Sequence, residues 1–280
     1  MNQETVTYLT NIVIGGILTA LATHYWWQHR ATVTIRLWVL AAWILTIADV
    51  LFAARPLLPH PLGRLLPTLG VTLGHAVMLI AAQETAARRR QLGLAAALVG
   101  LHAAALVGFL AVEQPSHWRM VVNGLIWGGF SVASAWCLRQ GGRHFWRSLA
   151  APATVFLIHG AFHGLRVGLA ILLPAQGWDR TAAALQIVGD LEVSFFMVAL
   201  YVGLLIAYLQ VWNEELTTAR AEVRTLSGLL PMCAWCKKVR DDEGYWEQVE
   251  EYFSRRSQIR FTHGVCVDCL KAERKRAGLT

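Results

Sequence analysis

The sequence predicts an all-α membrane protein: seven transmembrane helices, a coiled-coil connector and a small zinc-clipped C-terminal module. Three observations predict it. Of the 280 residues, 55% are hydrophobic and only 15% are charged, whereas a soluble chain of this size needs far more charge to cover its surface. Apolar stretches of about 20 residues, the length that crosses a bilayer, recur seven times before residue 212. Behind them come a heptad run and two Cys-x-x-Cys pairs. The expected division is therefore 1–208 for the seven-helix domain, 209–230 for the coiled-coil helix and 231–280 for the cysteine-rich tail.

The spans fall at about 6–27, 35–54, 66–87, 92–112, 118–138, 148–173 and 182–211. The first has no basic leader and no small-residue cleavage site, so it reads as a retained helix rather than a cleaved signal. Pro56, Pro59, Pro61, Pro67, Pro115 and Pro174 are expected to punctuate the connections. Trp26, Trp27, Trp118, Trp146, Trp178 and Trp212 lie near the expected ends, where indole rings favour the lipid–water interface.

Basic residues orient the bundle. Arg30, then Arg88, Arg89 and Arg90, then Arg139, Arg143 and Arg147 follow spans one, three and five. The opposite side carries Arg55 and Arg64, then Arg119 beside Glu113, then Arg180 beside Asp179. The richer side is expected to be cytoplasmic, with the N-terminus outside and the tail inside. The net charge of +7 thus sits in short loops and the tail, and nucleic acid is set aside as a partner.

Ionisable residues within spans are costly and mark function by default. Here they are Asp49, His75, Glu84, His102, His159, His163, Arg166, Asp190 and Glu192. Glu84 lies near the cytoplasmic end, within reach of water or the arginine triplet. In "IHGAFHGLR", His159, His163 and Arg166 share one helix face. Gly160, Gly164 and Gly168 form a small-residue stripe that admits a neighbouring helix. Gln186 and Asp190 share a face of span seven, and Glu192, two residues on, is expected to face elsewhere. The candidate pocket is Asp49, His75, His102, His159, His163, Arg166 and Asp190, with Arg166 meeting Asp190 or Asp49. Three readings stay open: polar glue between helices, a pocket for a small ligand or ion, and a metal or haem site on the histidines. Retinal is excluded, because no span offers a lysine for a Schiff base.

After span seven, Leu209, Trp212, Leu216, Ala219, Val223, Leu226 and Leu230 recur at steps of three and four. That is the seam of a parallel coiled coil and predicts a homodimer. The alternative is a single amphipathic helix on the bilayer or against the tail. Pro231 is expected to end it.

Cys233 and Cys236 form one pair and Cys266 and Cys269 another, with 29 residues between them. Two such pairs in a short segment match a structural tetrahedral zinc site, and metal would supply the stability that so small a core lacks. His263 would replace one thiolate or support a ligand sulfur. Between the pairs, "DDEG" reads as a turn, "YWEQVEEYF" as a helix presenting Trp246, Val249 and Phe253, and "IRF" as a short strand. A redox dithiol lacks its βαβ context, and an iron–sulfur site lacks its spacing.

The stretch "LSGLLPMCAWCKKVRDDEGYWEQVEEYF…FTHGVCVDCL", Leu226 to Leu270, resembles the cysteine-motif tail at the C-termini of many bacterial two-component and PAS signalling proteins. Val267 stands where relatives carry proline and Thr262 where they carry serine; neither change touches a ligand. More loosely, "LWVLAAWILTIADVLFAARPLLP…LGVTLGHAVML" resembles the multi-helix sensory regions that precede bacterial diguanylate cyclases and histidine kinases. The resemblance implies a bacterial inner-membrane sensor or signalling adaptor with an unidentified cytoplasmic partner. No cyclase, kinase or phosphatase motif follows, so no catalytic residue is expected. A membrane haem or metal redox protein is the alternative.

Overall fold

The computed structural model describes residues 3–28, 33–111, 116–141, 146–173, 178–227, 230–241 and 243–278. Arg30, Glu113, Pro115, Arg143 and Pro174 lie outside them, as do the side chains of Trp146, Arg147, Trp178, Asp179, Arg180, Gln186, Val223 and Leu226. Two compact units emerge, Met1–Asn213 and Glu214–Thr280.

The first unit is built from α1 (Gln3–Gln28), α2 (Val33–Ala53), a 3₁₀ turn (Arg55–Leu57), α3 (His60–Thr85), α4 (Leu92–Ala111), α5 (Ser116–Arg139), α6 (Trp146–Leu172) and the part of α7 (Trp178–Ser227) up to Asn213; the rest of α7 belongs to the second unit. All seven α-helices are long and apolar enough to cross a membrane. In lipid a backbone must satisfy its own polar groups, which is why apolar runs of this length resolve as helices.

Two expectations about proline are corrected. α3 starts at His60, so Pro61 and Pro67 lie inside a helix rather than in the connection. Pro61 stands in the first turn, where a missing N–H has no intrahelical partner to lose. Pro67 is interior and buried, and Pro152 likewise stands inside α6.

α2 packs on α3 and α5 on α6, while α1 lies against α2 and α4 against α3 and α5. Trp38, Met78, Leu138, Phe156 and Leu200 are buried where α2, α3, α5, α6 and α7 meet. The close approaches rest on small residues. A Cβ on Gly74 of α3 would stand 2.5 Å from Leu45 of α2, and one on Gly160 of α6 would stand 2.8 Å from Val132 of α5. Of the stripe expected on span six, only Gly160 works this way; Gly164 and Gly168 meet nothing within 4 Å. Gly124 and Gly128 of α5 complete the contact instead, facing Val167 and His163. At the other end of the bundle Glu84 pairs with Arg90 at 3.2 Å.

In α7, Leu209, Trp212 and Leu216 are exposed. The second unit includes an antiparallel pair, β1 (Val239–Arg240) and β2 (Trp246–Glu247), then α8 (Val249–Arg256) and α9 (Val267–Arg276). The "DDEG" turn holds: Gly244 N–H donates to the Asp241 carbonyl, and the Asp241 carboxylate accepts from Tyr245 N–H. Trp246, however, is a strand residue opposite Arg240, so the helix begins only at Val249. Ile259–Phe261 form no strand. Val239 is fully buried, and buried Glu247 is paired by Arg255 and Arg256.

Candidate functional site

A cavity of about 390 Å³ occupies the end of the bundle that bears the N-terminus. Every helix of the first unit lines it, from Tyr8 and Asn11 of α1 to Gly189, Asp190 and Phe196 of α7. Asp49, His75, His159, His163, Arg166 and Asp190 of the expected pocket all line it. His102 does not; it is fully buried, with its ring nitrogens 2.8 Å from the Thr72 hydroxyl and 2.9 Å from the Asn123 side-chain oxygen Oδ1. Trp127 N–H donates to the same Thr72 oxygen. Arg166 lies over Gly189, beside Asp190 and Glu192. Asn11 reaches the Asp190 backbone carbonyl from α1 and also bonds Ser194.

The floor is a histidine chain whose proton content follows from its geometry. His75 Nδ1 lies 2.9 Å from the Val71 carbonyl, which only accepts, so that nitrogen carries a proton. His75 Nε2 and His159 Nε2 are 3.1 Å apart, and one proton must lie between them. His159 Nδ1 meets Glu192 Oε1 at 2.8 Å, which requires another. Three hydrogen bonds need three protons, yet two neutral imidazoles bring only two. The third rests on Glu192 or makes one ring an imidazolium. Either way the trio is uncharged overall. His163 is 2% exposed, and among the described residues neither ring nitrogen has a hydrogen-bond partner.

Glu192 is therefore part of the network, against the expectation that it faces elsewhere. Spacing along one helix says which residues share a face, but not which neighbouring helix meets the other face. Arg55, Arg64 and Arg119, counted in the sequence only as loop charges, also line the cavity. Their signal was available: all three fall at the same end as the intramembrane acids. As for haem or metal on the histidines, both nitrogens of His75 and of His159 are engaged by protein groups.

The tail cysteines are four separate free thiols in two local arrangements. Around the first pair the chain folds back, with Cys233 N–H donating to the Lys238 carbonyl and Lys237 N–H to the Cys233 carbonyl. Lys237 has φ of 61°. Cys236 N–H then donates to Cys233 Sγ at 3.5 Å. Cys266 is the N-cap of α9 and accepts from Cys269 N–H at 3.4 Å. In each pair the N–H of the second cysteine holds the first thiol below its ordinary pKa. Thiolates are the form that binds zinc, so the chemistry of the donor set fits. The two pairs are not gathered: among the described residues no three His, Cys, Asp or Glu stand close enough to hold one ion. His263 lies in the non-regular segment just before α9.

No family model matches the chain, nor does any of the curated proteins or solved structures compared with it.

Proposed function

We propose that the chain is a bacterial inner-membrane sensor or signalling adaptor. A small molecule enters the cavity from outside, α7 shifts, and the tail docks a cytoplasmic partner. The observation that carries this reading is a cavity lined by charged and polar groups of both signs, whose wall includes α7. Structural glue needs pairs of polar groups but no open volume between them. α7 also supplies Leu209, Trp212 and Leu216, exposed on a helix that runs on to Ser227. A homodimer through the 209–230 seam would cover them, and a helix shift is a known form of transmission. Cys233, Cys236, Cys266 and Cys269 would hold zinc as a structural tie, and four thiolates leave no open position for catalysis. The resemblance of the tail to those of bacterial signalling proteins points the same way.

The test is photo-crosslinking in membranes from a reactive side chain placed at Leu209 or at Leu216. Both positions should give a crosslinked dimer. Asp190→Asn should change their relative yields without lowering the amount of inserted protein. A chain that never crosslinks to itself, or yields that Asp190→Asn leaves unaltered, would defeat the relay.

A further inference from the structure

We infer that the cavity takes a small organic anion, held by its acidic group at Arg55, Arg64 and Arg119; this rests on reading the cavity as a ligand site. The three guanidinium groups come from the 3₁₀ turn, the start of α3 and the start of α5, and Arg119 lies within Coulombic range of the other two. Among the described residues, none of the three makes an ion pair. Arg64 Nε is buried and has no hydrogen-bond partner among the described residues. Of the cavity's carboxylates, Asp49 and Asp190 lie within Coulombic range of each other, and Asp190 lies within that range of Arg166. Four arginines against two aspartates leave the lining with an excess of positive charge.

Like charges gathered at a partly dry rim repel unless an anion neutralises them. Guanidinium forks match carboxylate and phosphate oxygens in pairs. The volume is at the lower end of the range for small-molecule sites and well above the need of a bare ion. Deeper in, His163 offers an unused donor and acceptor, and Trp127 stands edge-on to it with ring centroids 5.6 Å apart. Tyr8 stacks on Phe52 at 5.5 Å to form a second aromatic wall. The occupant is thus acidic at the mouth, flat in the middle and polar at its far end. A free solute and the headgroup of an anionic lipid share the acidic chemistry.

The experiment uses the full chain in phosphatidylcholine nanodiscs, with thermal unfolding as the readout. Phthalate, succinate and phosphate are titrated against chloride at equal ionic strength, with benzylammonium as the cationic probe. A saturable rise in Tm is expected with a dianion, most strongly with phthalate. Arg64→Gln and Arg119→Gln should each weaken the apparent affinity by about tenfold or more, and Arg64→Lys by less, since it keeps the charge and loses the fork. If phosphatidylglycerol raises Tm, abolishes the phthalate response, and does neither in the arginine variants, the lipid is the source of the acid. Dianions that act no differently from chloride, or a response the variants leave intact, would overturn the inference. Should benzylammonium saturate where the dianions fail, the inference alone falls and the cavity stays a ligand site. If nothing saturates in either lipid, both readings fall.

Discussion

At Glu192 the side chain ends a hydrogen-bonded chain that contains one proton more than neutral rings and a carboxylate supply. Glu192→Gln should keep the chain whole without that proton, because an amide N–H can donate to His159 Nδ1 while His159 Nε2–H donates to His75. Glu192→Ala leaves a buried imidazole nitrogen without a partner, a loss of about 1–3 kcal/mol. Thermal unfolding in detergent checks this: the glutamine variant should stay near the parent and the alanine variant should fall well below it. Equal losses would show that the carboxylate is held by something other than His159. The sequence made the intramembrane ionisable groups easy to find, since each breaks an apolar run. It could not assign them to cavity, wall or network. His102 and Glu192 exchanged their expected places for this reason, and Asn11, Thr72 and Asn123 carry no charge to draw notice.

Helix contacts divide the glycines into two kinds. Gly160→Ala places a methyl 2.8 Å from Val132, and overpacking of this sort costs about 1–3 kcal/mol. Gly164→Ala, one turn on, meets nothing within 4 Å and should stabilise the helix by about 0.5–1 kcal/mol through the unfolded chain's lost freedom. The pair should therefore move the Tm in opposite directions; a shared direction would mean that α6 does not sit against α5 as described. Spans were legible because about 20 apolar residues leave lipid-solvated chain few options. Helix partners were less so, since a small-residue stripe looks the same whether it is covered or bare. The tail shows the same limit. "YWEQVEEYF" has helical spacing throughout, yet Trp246 and Glu247 are drawn into pairing with Arg240 and Val239 by the turn that precedes them.

For the whole chain, the two units should respond separately to loss of metal. Purified full-length protein is expected to carry about one zinc per chain. Chelation should expose the tail to trypsin around Arg255 and Lys271 while the bundle up to Asn213 stays intact, because metal binding and folding are coupled only where the ligands are. Cys233→Ser should reproduce the effect of the chelator, and His263→Ala should do so less. A tail equally resistant with and without metal would remove zinc from the account. In the bundle, Pro67 has one further effect. The Gly63 carbonyl lacks the helical donor that an N–H at position 67 would give, and Gly63 lines the cavity. A carbonyl without its donor is tolerated at membrane depth where it borders a water-filled space. Water filling that space would carry the potential of the bulk phase inward, and the voltage across a bilayer would then fall over a thinner slab. The inner end of the cavity, with the histidine chain, Arg166 and Asp190, would then lie at the edge of the steepest part of the electric field, where a small displacement of charge does the most electrical work.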